Sequence, residues 1–203
     1  MLEPAFVFLG APITWLEIWA FVLALACIVC NVLEIHWGWP LAFVSSALYA
    51  WLFVASKLYG EGGVQLFFAG TAVWGWWQWL FGRRKDERGA LEPLVIAKLG
   101  ACARVVTLCG WLLAWPATGF LLARITDTDV PFLDAFPTVG SVIGQILLGR
   151  KFIENWLVWV VVNLASVGLF SYKGLWLTAL LYVIFALLAV VGWMRWARVT
   201  RAA

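Results

Sequence analysis

Side chains able to hydrogen-bond are scarce in this sequence, and their spacing is regular. Asp134, Thr138, Ser141 and Gln145 recur at i, i+4, i+7 and i+11. Asn155, Trp159, Asn163 and Ser166 follow at i, i+4, i+8 and i+11. On a helix of 3.6 residues per turn, each set occupies one face. Amides and hydroxyls aligned in this way can orient a small polar molecule, and the Trp159 ring can stack on a flat one. The same side chains can instead join helices through hydrogen bonds. Two aligned stripes favour a lined cavity. A looser set precedes them: Ser45, Ser46 and Tyr49 in one apolar run, Gln65 in the next, and Glu17 with Asn31 on either side of Ala24.

Other chemistries lack their residues. His36, the single histidine, stands beside Trp37 without partners for a metal site or a catalytic triad. There is no G-x-x-x-x-G-K-[ST] run, hence no ATP-driven engine in the chain. Glu34 and Glu154 sit beside basic residues and read as loop ion pairs. Cys27, Cys30, Cys102 and Cys109 all lie in apolar runs. The Cys27–Cys30 spacing lacks the βαβ context of a redox motif, so all four read as buried thiols packing like small hydrophobes. No metal and no cofactor is expected. The first residues, Met1 to Gly10, carry Glu3 and no basic n-region, and do not read as a cleaved signal peptide.

The composition explains what must position these groups. Of 203 residues, 65% are hydrophobic and only 12% charged. A soluble domain is about 45–50% apolar and about 25% charged, so this chain has roughly half the charge needed to cover a water-soluble globule. Sixteen tryptophans add a residue type enriched where membrane meets water. Disorder, a disulfide scaffold and a soluble enzyme are excluded, and the chain reads as an all-α integral membrane protein. Its net charge of +3 is too small to imply a nucleic-acid partner.

A spanning helix needs about 20 mostly apolar residues. Seven such stretches occur, at Thr14–Leu33, Trp39–Tyr59, Gly63–Phe81, Ala101–Ala123, Pro131–Gly149, Asn155–Phe170 and Leu175–Trp196. Most junctions are short turns, and the one long hydrophilic connection runs from Gly82 to Lys98. With seven spans the termini lie on opposite sides. Lys57, Arg124 and Lys173 fall on the N-terminal side, whereas ten basic residues from Arg83 to Arg201 fall on the other. The positive-inside rule makes the ten-charge side cytoplasmic, with the N-terminus outside.

A shift of 117 positions superposes Trp39–Trp79 on Trp156–Trp196 without a gap, and both stretches close on Gly-Trp-x-x-Trp. Spans 2 and 3 pair with 6 and 7, span 1 falls opposite span 5, and span 4 has no partner. The expected organisation is two parallel three-helix repeats joined by a linker helix: residues 14–82, a basic loop and linker helix at 83–124, and residues 131–196. Some transporters with parallel repeats bind substrate near the midplane between them. Trp76, Trp79, Trp193 and Trp196 belong to the closing motifs, and serve either as an interfacial aromatic belt or as an inner constriction.

These residues resemble the Pnu vitamin transporters. One set of shared features is Trp39-Pro40, Ser45-Ser46-Ala47-Leu48-Tyr49, Lys57-Leu58-Tyr59, Gln65 and Gly75-Trp76-x-x-Trp79. A second is Asp134-Ala135, Ser141, Gln145, the run Arg150 to Trp156, Trp159, Lys173-Gly174-Leu175 and Gly192-Trp193-x-x-Trp196. The resemblance spans about Thr14 to Trp196 and is nearest to the nicotinamide riboside carriers. It implies a 3+1+3, SWEET-like fold, often trimeric, in a bacterial inner membrane. It also implies facilitated diffusion of an unphosphorylated vitamin precursor, made one-way by a cytoplasmic kinase and supplying NAD biosynthesis. Binding sites of the family use aromatic rings and amides, which transfers here to Gln65, Trp159 and Asn163, with Gln145 beside them. Many sequences of the family have an acidic residue where this chain has Asn163. Thiamine and riboflavin are the alternative cargoes. An intramembrane enzyme would need a nucleophile or metal cluster that the sequence lacks, and a non-transporting subunit would show no activity alone.

Overall fold

A computed structural model of the chain describes residues 4–8, 11–55, 59–85, 89–126, 128–172 and 176–202. Two compact units divide it, Met1–Arg83 and Arg84–Ala203. In the first, strands β1 (Pro4–Phe8) and β2 (Ala11–Thr14) pair antiparallel and lead into helices α1 (Trp15–Val32), α2 (Gly38–Ala55) and α3 (Tyr59–Phe81). Helix α2 packs against both α1 and α3. Strands β3 (Arg83–Lys85) and β4 (Leu91–Pro93) form a two-stranded sheet in the basic connection. The second unit contains α4 (Ala101–Ile125), α5 (Pro131–Gly149), α6 (Glu154–Tyr172) and α7 (Trp176–Ala202), each packed on the next. Each helix overlaps its apolar run and α5 matches residue for residue, but α2 ends at Ala55 and α3 already begins at Tyr59, four residues before its expected start. The last helix continues past Trp196, because Ala197 to Ala202 contains no glycine or proline to stop it.

Among the described residues, α4, α5, α6 and Ala179–Arg201 of α7 are long and apolar enough to cross a membrane. Helix α4 buries little beyond Trp111 and Gly119, and leaves Val106, Leu113 and Ile125 exposed. In water such a surface would be untenable; in lipid it is ordinary. This placement overturns one expectation, since Cys102 and Cys109 are exposed on α4 rather than buried. A helix surrounded by apolar residues does not reveal from sequence which face packs and which meets lipid.

The α1–α2 and α5–α6 connections are built alike. Each first helix ends with a residue in the left-handed region, Glu34 (φ 58°) and Lys151 (φ 54°), 117 positions apart. The following amides close a Schellman pattern: Ile35 N–H to Cys30 O at 2.8 Å and Glu34 N–H to Asn31 O at 3.2 Å in one, Phe152 N–H to Leu147 O at 2.9 Å and Lys151 N–H to Leu148 O at 3.0 Å in the other. Glycine usually occupies such a position because a Cβ strains it. Lys151→Gly should therefore stabilise the protein by roughly 0.5–1 kcal/mol, after allowing for glycine's unfolded-state entropy. Thermal unfolding in detergent should show a higher midpoint than wild type.

Three residues recur at the same offset. Trp39 and Trp156 open α2 and α6 and are buried. Trp79 meets the Trp39 ring edge-on at 5.7 Å and 81°, and Trp196 meets Trp156 at 5.4 Å and 89°. Gly75 and Gly192 leave room for these rings. An added Cβ would come within 2.2 Å of Trp39 Cζ3 at the first and 2.5 Å of Trp156 Cδ2 at the second. Each Gly-Trp-x-x-Trp thus clasps the tryptophan at the start of the preceding helix.

Candidate functional site

Helix α6 has two unlike faces. Asn155, Asn163 and Ser166 are 0%, 5% and 3% exposed, whereas Leu157, Val161 and Leu164 are 46%, 43% and 57% exposed. The polar stripe faces inward and the aliphatic one outward, as the cost of a polar group facing hydrocarbon requires. Asn155 is structural, since its Nδ2 donates to Phe152 O at 2.7 Å and anchors the turn before α6. The Asn163 amide and the Ser166 hydroxyl make no side-chain hydrogen bond to another described residue. A buried amide with unused donors and acceptors normally has a partner.

Trp159, half-buried on the same stripe, lies against α5. A Cβ at Gly144 would sit 3.0 Å from its Cε2 and 3.1 Å from its Nε1. One turn away, Gly140 similarly accommodates Val162 and the α4 ring of Trp111, whose Nε1 donates to Phe136 O at 3.2 Å. The paired glycines bring α5 and α6 close. Gln145 follows Gly144 in the chain and is half-buried, as is Ser141. The rest of the α5 stripe is used locally. Asp134 accepts from the Thr128 hydroxyl, and Thr138, exposed, donates to the Asp134 carbonyl at 2.8 Å.

In the first unit, Ser45 and Ser46 of α2 are buried, Tyr49 is half-buried and engaged with another residue, and Gln65 of α3 is half-buried. Asn31 is buried, with Nδ2 donating to Cys27 Sγ at 3.4 Å. The side chain of Glu17 and the Lys57-Leu58-Tyr59 side chains lie outside the described residues. Trp76 Nε1 donates to His36 Nδ1 at 3.3 Å. This contact gives the lone histidine a partner that only the folded unit reveals, since 40 residues separate the two. Trp193 is half-buried and Trp196 fully buried.

At the head of the second unit the basic connection is tied to the α5–α6 turn. Ala97 N–H donates to Lys151 O at 3.0 Å, Ile153 N–H donates to Ala97 O at 2.9 Å, and Arg84 donates to the carbonyls of Arg150 and Val95. The Arg84 guanidinium also lies 4.2 Å over the Phe152 ring. Burial, and then the charge of Arg150, lower its pKa from the usual arginine value. Glu154 accepts from Leu99 N–H at 3.0 Å and pairs with Arg104 at 2.9 Å, an ion pair between the first turns of α4 and α6 rather than within a loop.

A transporter profile accounts for this combination of membrane helices and inward-facing amides. The sequence profile of the nicotinamide mononucleotide transporter family matches residues 14–198. The chain belongs to that family. It is a multi-pass membrane transporter. The nicotinamide riboside transporter PnuC of Escherichia coli (strain K12) is 26% identical over 92% of this chain and 87% of its own. The riboflavin/roseoflavin transporter RibM of Streptomyces davaonensis is 28% identical over 95% of this chain and 89% of its own. A crystal structure of the vitamin B3 transporter PnuC has the same fold, with a TM-score of 0.74 and 21% identity over 93% of this chain and 83% of that one.

Proposed function

We propose that the protein is a passive uniporter for nicotinamide riboside in a bacterial inner membrane, with the N-terminus outside and the C-terminus in the cytoplasm. The inward-facing amide of Asn163 beside Trp159 carries this reading. An unengaged amide and an indole suit a substrate that presents a flat heteroaromatic ring, an amide and sugar hydroxyls. Gln145 and Ser141 extend the site along α5, and within the first unit Gln65 and Tyr49 are assigned as substrate-binding residues. The recurring turns and tryptophan clasps support two parallel three-helix repeats, with α4 as the linker, in a 3+1+3 SWEET-like arrangement. Transport would proceed by facilitated diffusion down the substrate gradient. Trp76 and Trp193 are assigned as gate residues, each within its own unit, while Trp79 and Trp196 brace Trp39 and Trp156. We further assign a trimeric assembly and a cytoplasmic kinase that traps the product, both by resemblance.

The relative that carries riboflavin supports one second reading, a tricyclic ring in the same site. Proteoliposomes containing the purified protein should equilibrate labelled nicotinamide riboside faster than empty vesicles. Riboflavin and thiamine should move more slowly in the same assay. Equilibration of nicotinamide riboside at the rate of empty vesicles would overturn the substrate assignment, and rapid riboflavin entry would replace it.

A further inference from the structure

The second unit carries a groove separate from the amide stripe. It lies between α4, α5 and α6, has a volume of about 280 Å³, and is lined mainly by Leu108, Leu147, Leu157, Val158 and Val161. The two polar side chains along its length have their hydrogen bonds elsewhere. Trp111 Nε1 donates to Phe136 O at 3.2 Å, and Thr107 Oγ1 to Ala103 O at 2.8 Å. No group in this stretch asks for water or a polar ligand, so its natural occupant is hydrocarbon.

One end is different. There the lining is Leu99, Arg104 and Glu154, at the N-terminal ends of α4 and α6. Both Glu154 oxygens are engaged, Oε2 by Leu99 N–H and Oε1 by Arg104. The acid is thus satisfied, while the Arg104 side chain remains 53% exposed and Lys98, next to Leu99 in the chain, is exposed. Arg104 is paired with Glu154, and the net positive charge near this end comes from Lys98, next to the lining residue Leu99, and from Lys151, whose carbonyl accepts from Ala97 N–H at 3.0 Å. The first turn of α4 has no acidic residue, and its N-cap, Gly100, makes no side-chain cap. The positive end of the helix therefore adds to the same field. From Arg104 to Trp111 the groove descends about 10 Å, roughly two-thirds of one leaflet's hydrocarbon depth. Its cationic rim lies on the side assigned to the cytoplasm, where anionic headgroups attract basic residues.

We propose that this groove holds one acyl chain of an anionic phospholipid from the surrounding bilayer, with its phosphate against Lys98 and Arg104. The site goes beyond the transport reading and is independent of the cargo. The full-length protein, purified and delipidated in detergent, is titrated with phosphatidylglycerol and with phosphatidylcholine of the same acyl chains, and retention is read by native mass spectrometry. Phosphatidylglycerol should bind more tightly. Lys98→Gln should weaken it about fivefold, the effect of losing one basic residue near an anionic headgroup, without changing retention of phosphatidylcholine. Val158→Trp, which fills the groove, should reduce retention of both lipids. If it fails to fold, Leu108→Trp makes the same test, with unchanged melting of the lipid-free protein as the control. Equal binding of the two lipids by wild type, or undiminished retention in the folded groove-filling variant, would overturn the proposal.

Discussion

Asn163→Leu should weaken binding of nicotinamide riboside by about ten- to a hundredfold while leaving the fold intact. Asn163 lies inward on α6 at 5% exposure, and its amide has no described side-chain partner to lose. Leucine keeps the branched four-atom skeleton of asparagine with bulkier methyl ends and suits the apolar surroundings, so no cavity forms and the overpacking is modest. What disappears is hydrogen bonding to the ligand, worth about 1.5–3 kcal/mol where a polar ligand group is left buried and unpaired. Gln65→Leu should act in the same direction but less, because Gln65 is half-buried. Calorimetry on the purified protein reads both effects, with the melting midpoint as the folding control. Unchanged affinity in both variants would return the two amides to a role as interhelical glue.

Gly75→Ala and Gly192→Ala should each destabilise the protein by about 1–3 kcal/mol, the usual cost of overpacking. Alanine is ordinarily the better helix residue by roughly 0.5–1 kcal/mol, so the expected sign is reversed. The reason is steric. The new methyl would lie 2.2 Å from Trp39 Cζ3 in the first unit and 2.5 Å from Trp156 Cδ2 in the second. Neither ring can retreat easily, since Trp39 and Trp156 are buried and braced edge-on by Trp79 and Trp196. Gly70 and Gly168 provide the contrast. They also lie within helices, α3 and α6, but a Cβ at either meets nothing within 4 Å. Gly70→Ala and Gly168→Ala should leave thermal stability unchanged or raise it. Equal responses at all four glycines would show that the tryptophan clasps do not govern stability.

Much of this protein could be read from residue order alone. Long apolar runs must become helices in a bilayer, because no other single-chain segment satisfies its own backbone there, and the helices form where those runs lie. The polar stripe of α6 was legible for a related reason: period and polarity together assign one face to the interior, and Asn163 and Ser166 are buried as that requires. The 117-residue offset was also visible, through Gly-Trp-x-x-Trp. Its physical meaning was not. Sequence placed those tryptophans at an interface or constriction, while the folded units use Trp79 and Trp196 to brace Trp39 and Trp156.

Tertiary structure alone decided the features that depend on residues distant in the chain or on which apolar face meets lipid. The Trp76–His36 bond, the strapping of Ala97 to the α5–α6 turn and the exposure of Cys102 and Cys109 are of this kind. So are the left-handed turns at Glu34 and Lys151, where no glycine announces the conformation. In water, burial separates apolar from polar and leaves a pattern to read. In a bilayer, lipid and protein interior are equally apolar, so composition determines that the chain spans the membrane, and only packing determines which side chain touches which.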